Sequence, residues 1–429
     1  MDIWQKAIHF FKGLGVLRGV VFCIVCILVL TYLVSTSIKG GDFVTFLEAA
    51  DKMWHGKNIY DPPYINLRYS YSPFWAMVLV PFALLPDGLG AFIWLILSLI
   101  LLWRTIYLLR TRFCVSMPDK GSNVILWFLI LLYISRYIEL NFHHVQMTIF
   151  LLWMILESIL LAENNKEMMA GILIGVGAII KIMPIVMVPY FLYRRRFIAA
   201  LSSCITIGVC FFLPIFFVGK ERFSELNQSW FSILRPDSPE FQVDATWHFP
   251  QNLSALLYRL FVDTGAPYSR NVVSLSYPQA ELWIWIVIGG LVLMTIYFLN
   301  SMPFQRSKSK LHQLYEVSYI TLLIPLIFPH QMKYAFYFVF PAICCLCLVI
   351  VTNYQGQKRS IKYLSTVCLV FISFILCTAT TDLIIGMKYS TISQHLKTIT
   401  IGTLLLIPAL AINRSFFSAR GGILDKPND

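Results

Sequence analysis

An all-α polytopic membrane protein is the fold class that the sequence predicts, and three observations predict it. The 429 residues are 58% hydrophobic and only 13% charged, whereas a soluble domain carries about 25% charged residues. Apolar runs close to the length of a membrane span, about 20 residues, recur from one end of the chain to the other. Basic clusters fall between these runs at Arg104/Arg110/Arg112/Lys120, Arg194/Arg195/Arg196, Arg306/Lys308/Lys310 and Lys358/Arg359/Lys362, the pattern by which the positive-inside rule orients spans. No stretch is polar enough to stand as a soluble unit, so residues 1–429 read as a single membrane domain. The net charge of +12 resides in these loop clusters, and its distribution argues against a nucleic-acid partner.

The first run, near 16–36, follows Lys6, Lys12 and Arg18 and has no small-residue cleavage site after it, so it reads as an uncleaved first helix. Further spans are expected near 88–109, 122–138, 147–162, 169–181, 183–193, 198–218, 281–299, 313–328, 335–351, 363–384 and 398–412. Putting every basic cluster in the cytoplasm sets two conditions. Residues 72–86, with two internal prolines, must be re-entrant or interfacial, and 169–193 must be a hairpin of two short helices turning near Lys181 and Pro184. About twelve transmembrane helices then place both termini in the cytoplasm of a cell whose inner (plasma) membrane holds the chain. The extracytoplasmic side receives a first loop over 37–86, a turn at 139–146, a large loop over 219–280, a turn at 329–334 and a segment at 385–397. Nine of the ten cysteines sit inside apolar runs, where they read as small buried hydrophobes and not as a disulfide or metal set.

The chemistry concentrates on that outer side. Asp42 follows the first helix and precedes a helical pattern with Phe43, Phe46, Leu47, Ala50 and Trp54 on one face, as in an amphipathic helix at the interface. A carboxylate at that depth can serve as a general base or cap the helix that starts at Phe43. Glu48 and Asp51 fall on or near the polar face and read as solvated. Lys181 ends an apolar stretch in which Gly171, Gly175 and Gly177 allow close helix packing; such a lysine either snorkels to the interface or meets a lipid phosphate. Three more polar clusters face the same way: His143, His144 and Gln146 in one turn, Asn227 and Gln228 with Arg235 and the segment Trp247 to Asn252 in the large loop, and His330, Gln331 and Lys333 between two spans. The histidine pairs lack the spacing and acidic partners of a zinc site, so no metal is expected.

Asp42 with FLEAADKMWHGKNIY and YSYSP, AGILIGVGAIIKIMP followed by RRR, NQSW followed by Arg235, and FPHQ together resemble glycosyltransferase family 87. These are membrane enzymes of the GT-C superfamily related to polyprenyl-phosphate-mannose-dependent alpha-1,2-mannosyltransferases. Two turns depart from the family pattern: His143-His144-Val145-Gln146 stands where a G-Q-x-N turn is usual, and Phe328-Pro329-His330-Gln331 where paired histidines often follow a tryptophan. The resemblance implies a GT-C-type fold and a hexose, mannose-like, moved from a polyprenyl-phosphate donor to a glycolipid or glycan acceptor among the membrane lipids, without metal or cofactor. Asp42 would deprotonate the acceptor, with inversion. Lys181, Arg235, His330 and Lys333 would bind the donor phosphate, and His143, His144, Gln146, Asn227, Gln228, Tyr60 and Tyr71 the sugar or acceptor. A transporter or lipid flippase is the rival reading; it requires midplane charges and repeat symmetry, whereas Glu157 and Glu316 lie near span ends and no internal repeat is visible. A histidine-based acyltransferase through His143 or His330 is a further alternative.

Overall fold

A computed structural model describes residues 16–61, 69–234, 247–268, 271–299, 301–305, 307, 309–329, 331–357 and 360–419. Among these residues the chain is a helical bundle with no strand, as the apolar runs require: in lipid, backbone polar groups must be satisfied within each segment, and a helix does this locally. Side-chain caps set several helix starts. Asp119 accepts from the Ser122 amide at 2.8 Å, Ser309 from His312 at 3.0 Å and Ser360 from Tyr363 at 3.2 Å.

Each of the twelve expected spans is helical, but their lengths differ. Among the described residues seven helices are long and apolar enough to cross a membrane, and an eighth results if Asp382–His395 and Thr398–Ile412, bent by 68°, form one broken span. Pro73–Ala83, Glu167–Ile180 and Met183–Tyr193 are shorter apolar helices. At 1.5 Å per residue, the 11 residues of Pro73–Ala83 reach about 16 Å, roughly half the hydrocarbon thickness. The hairpin expected over 169–193 is present as Glu167–Ile180 followed by Met183–Val186 and Met187–Tyr193. The stretch 219–280, expected as a large loop, contains helices Lys220–Ile233 and Leu253–Phe261 among its described residues.

The span Lys333–Gln355 is the bundle's centre, with 89% of its apolar window buried, whereas Gly19–Lys39 lies at the periphery with 11%. Gly171 and Gly175 let Glu167–Ile180 press against Phe197–Phe212: a Cβ at Gly171 would lie 2.3 Å from the Ala199 carbonyl oxygen, and one at Gly175 2.7 Å from that of Ser203. The third glycine, Gly177, packs instead against Met154 and Pro184. Cys23, Cys26, Cys204 and Cys368 correct the expectation of burial, because they are exposed on the bundle's outer face. The apolar character of that face reflects lipid, not a protein core.

The two membrane-embedded acids are paired. Arg104 grips Glu157 through both carboxylate oxygens at 2.8 and 2.9 Å, and the fully buried Glu316 receives Arg194 together with the Tyr190 hydroxyl at 3.1 Å. Arg196 reaches Glu163 and Glu167 at 3.0 and 3.1 Å. The basic clusters at Arg104 and Arg194–Arg196 thus gather at one end of the bundle, where bidentate arginine pairing lowers the cost of desolvating both charges. Arg136 takes a different role. Its guanidinium donates to the Cys377 carbonyl at 2.6 Å and Thr380 Oγ1 at 2.8 Å, at the π-helical turn Ile375–Ala379, where the ordinary ladder is interrupted.

Candidate active site

The opposite end of the bundle carries the candidate site, assembled from four separate segments. The first is the turn after helix Val16–Lys39. Gly40 and Gly41 both have left-handed backbone, with φ +71° and +52°, which reverses the chain into helix Phe43–Trp54. Asp42 stands at the N-cap position, yet its side chain makes no capping hydrogen bond. The capping role considered for it is therefore not the one adopted: its backbone is already helical (φ −72°, ψ −13°), and its carboxylate points elsewhere. Asp42 Oδ2 accepts from Gln146 Nε2 at 2.6 Å, and Oδ1 lies 3.9 Å from His144 Nδ1.

The turn after helix Lys120–His143 supplies these partners and is docked by backbone. The Asp42 amide donates to the His144 carbonyl at 3.0 Å, so the two turns share a hydrogen bond before any side chain contributes. Gln146 is held by its amide to Asn141 O at 2.8 Å and by its carbonyl to Trp94 Nε1 at 3.3 Å. That leaves its side-chain amide aimed at Asp42. His144 is partly buried, and burial outweighs the neighbouring Asp42 carboxylate in moving its pKa below the usual histidine range. His143, by contrast, is exposed and faces Glu139 at 3.9 Å; of the paired histidines only His144 meets Asp42.

Gly41 is required by this approach. A Cβ there would lie 2.7 Å from both the carbonyl carbon and oxygen of His144, on a backbone that already disfavours L side chains. Gly41→Ala is expected to push the two turns apart and cost on the order of 10²-fold in turnover, the scale on which small misplacements act. Gly219 is the control, since its φ of +81° imposes similar strain with no atom within 4 Å. Equal turnover in Gly41→Ala and Gly219→Ala would show that the close approach is immaterial.

The third segment is the end of helix Glu167–Ile180, where Lys181 serves as C-cap in extended backbone. Its Nζ lies 5.5 Å from the centroid of the Tyr71 ring and 5.7 Å from that of Tyr334, within cation–π range of both. Burial pulls its pKa down to about 8, against the opposing pull of the Asp42 carboxylate. Tyr334, from the fourth segment, also stacks near His144, with ring centroids 6.0 Å apart, and Asn141 Nδ2 fixes its carbonyl at 3.0 Å. Acid, lysine, imidazole and two phenols thus gather in one partly exposed cluster.

The YSYSP stretch positions Tyr71. Tyr60, fully buried, donates its hydroxyl to the Tyr71 carbonyl at 2.7 Å, and Tyr69 donates to Ser72 O at 2.9 Å. Ser72 Oγ donates to Ile179 O at 2.6 Å and accepts weakly from the Trp75 amide at 3.4 Å. It thereby joins the start of helix Pro73–Ala83 to the segment that ends in Lys181. Sequence reasoning missed Ser72; serine immediately before proline and an apolar run is the local signal that marks a cap.

Helix Phe43–Trp54 packs differently from expectation. Phe43, Phe46, Ala50 and Met53 are buried, whereas Trp54, assigned to the apolar face, is 51% exposed. The buried side of this helix lies against Pro73–Ala83 and its neighbours, with Phe43 stacked on Trp94 at 5.4 Å, so protein contacts set its register. Glu48 is partly buried, unlike Asp51, which is exposed.

The remaining expected contacts divide. Tyr60 supports the cluster through Tyr71, to whose carbonyl its hydroxyl donates. Asn227 is buried and bonds Phe223 O of its own helix at 2.8 Å, while Gln228 is exposed. Their helix braces the YSYSP stretch through Trp230 Nε1 to Ser70 O at 3.1 Å. Lys333 is partly buried, adjacent to Tyr334, and acts electrostatically on His144. Arg235 and His330 lie outside the described residues. Among the described residues no three His, Cys, Asp or Glu side chains converge as a metal-binding set.

Comparison with known proteins adds an independent line. The model of glycosyltransferase family 87 matches residues 69–329. A polyprenol-phosphate-mannose-dependent alpha-(1-2)-phosphatidylinositol pentamannoside mannosyltransferase from Mycolicibacterium smegmatis is 26% identical over 224 residues, covering 47% of this chain and 53% of the relative. Its counterpart from Mycobacterium tuberculosis is 23% identical over 197 residues, covering 44% and 45%. The chain thus spans about half the length of the curated relatives it matches. Asp42 precedes the matched residues.

Proposed function

Because the chain belongs to glycosyltransferase family 87, we propose that it transfers a hexose, by likeness to its relatives mannose, from a polyprenyl-phosphate donor to a glycolipid or glycan acceptor at the extracytoplasmic face of the inner membrane. The observation that carries this reading is the Asp42 carboxylate within electrostatic reach of the Lys181 ammonium, which lies between the Tyr71 and Tyr334 rings. The pair's location at the end of the bundle away from the Arg104 and Arg194–Arg196 clusters supports the extracytoplasmic assignment.

The chemistry needs both charges. The acceptor hydroxyl forms a new bond to the anomeric carbon while its proton passes to Asp42. The bond from the anomeric carbon to the phosphate oxygen breaks with its electron pair, and attack from the far face inverts the centre. Gln146 holds Asp42 Oδ2, leaving Oδ1 to accept the proton. The leaving lipid phosphate already carries charge, so it requires a cation and no acid; Lys181, steadied between Tyr71 and Tyr334, supplies it. Gln146 Oε1 is buried with no hydrogen-bond partner among the described residues, which suits an acceptor of a sugar hydroxyl proton.

Purified chain in proteoliposomes should move label from polyprenyl-phosphate [¹⁴C]mannose into a new lipid-extractable or glycan product of inverted configuration. Label that crosses the bilayer without becoming covalently attached to a new acceptor would favour a transporter instead.

A further inference from the structure

The segment Trp247 to Asn252 has no part in the mechanism above, yet it is held with unusual firmness. It packs on the 68° break between Asp382–His395 and Thr398–Ile412. At that break Lys397 is fully buried, with left-handed φ of 53°, and its Nζ donates to Trp247 O at 2.8 Å and Pro250 O at 2.6 Å. Gln251 Nε2 donates to His248 O at 2.8 Å and Gln394 O at 3.0 Å. Asn252 caps the next helix by accepting from the Ala255 amide at 3.1 Å.

This backbone scaffold holds a cluster of basic side chains. The rings of His248 and His395 lie 5.0 Å apart at 31°, and His395 Nδ1 is 3.2 Å from an Arg259 guanidinium nitrogen. The Tyr268 ring stands 5.6 Å from His395. Burial, and after it the charged groups acting on His248, Lys397, Lys333 and Arg259, all cations, hold its imidazole below the usual histidine range. Only the backbone of His248 is engaged in the scaffold; its imidazole makes no hydrogen bond among the described residues and remains partly exposed. Crowded cations repel one another, and an anion seated among them would relieve that repulsion. Phe249 and Tyr268, 38% and 53% exposed, flank the cluster with the aromatic surface typical of a headgroup boundary.

We propose that His248, Arg259 and His395 form a second phosphate-ester site, distinct from Lys181, that holds the anionic headgroup of a lipid. Lys333 links the two sites, since it adjoins Tyr334 in the chain and acts on His248. Two lipid phosphates could then lie side by side, one with its sugar at Asp42 and the other presenting a hydroxyl to it. That last clause rests on the transferase reading; the binding site itself does not.

The test is binding, without turnover, on the full chain in neutral detergent, with phosphatidylglycerol, farnesyl phosphate and inorganic phosphate as separate probes read by native mass spectrometry. His248→Gln, which leaves the backbone scaffold in place, is expected to weaken phosphatidylglycerol binding about tenfold, and His248→Gln with Arg259→Lys further. Lys181→Met is expected to leave that probe unaffected. Selective weakening of farnesyl phosphate would also support a lipid phosphate site and assign it to the prenyl lipid. Unchanged binding of both lipids in His248→Gln, a loss confined to inorganic phosphate, or loss of phosphatidylglycerol in Lys181→Met would overturn the proposal. Because no arm requires transfer, a failed transferase reading leaves this outcome separately readable.

Discussion

Asp42→Asn is expected to lower sugar transfer by about 10²- to 10⁴-fold, the range that a positioned general base contributes, while the protein remains folded. Asparagine has nearly the same shape, and its side-chain carbonyl can still accept from Gln146 Nε2. The backbone bond from residue 42 to the His144 carbonyl at 3.0 Å does not depend on the side chain. What is lost is the ability to take a proton. The measurement is single-turnover transfer from a polyprenyl-phosphate sugar in proteoliposomes, alongside the thermal midpoint of the same preparation. Undiminished transfer would remove Asp42 from the mechanism. A parallel loss of folding would show that residue 42 acts through the turn and not through its proton.

Lys181→Met should be nearly as severe, about 10²- to 10³-fold in turnover, the cost of removing one pre-positioned donor to developing charge. Methionine fills similar space between the Tyr71 and Tyr334 rings, so the change isolates the charge. The same residue predicts a pH profile. The Lys181 ammonium is depressed to about 8 by burial, so it loses its proton as pH rises through that value and the phosphate loses its partner. Hence kcat/KM, which reports the free enzyme, should fall on the alkaline side of about pH 8. In Lys181→Arg that limb should move to much higher pH, because a guanidinium stays charged. An alkaline limb unchanged in Lys181→Arg would assign it to another group.

The membrane class and the helical segments were legible in the sequence, and Asp42 and Lys181 stood out there as candidates, because each has a local signature. Apolar runs mark helices without reference to their neighbours, and a lysine closing an apolar stretch stands out by its cost in lipid. Gly171 and Gly175 were likewise readable as packing positions. Crossing counts were less legible: Pro73–Ala83 and the hairpin at Lys181 are apolar but short, and hydropathy does not distinguish a half-membrane helix from a span.

By itself, then, the sequence determined the bundle, the basic end and an outer acid and lysine as candidates. Tertiary structure alone decided that Asp42 does not cap its helix but faces Gln146, 104 positions away. It also decided that Ser72 joins the start of helix Pro73–Ala83 to the segment ending in Lys181, across 107 positions, and that Glu157 and Glu316 are consumed by arginine pairs. The reason is physical. Helix formation depends on neighbours within a turn, whereas a side chain's partner depends on how separate helices approach. That approach is set here by small-residue contacts and shared backbone hydrogen bonds between turns that lie far apart in the chain.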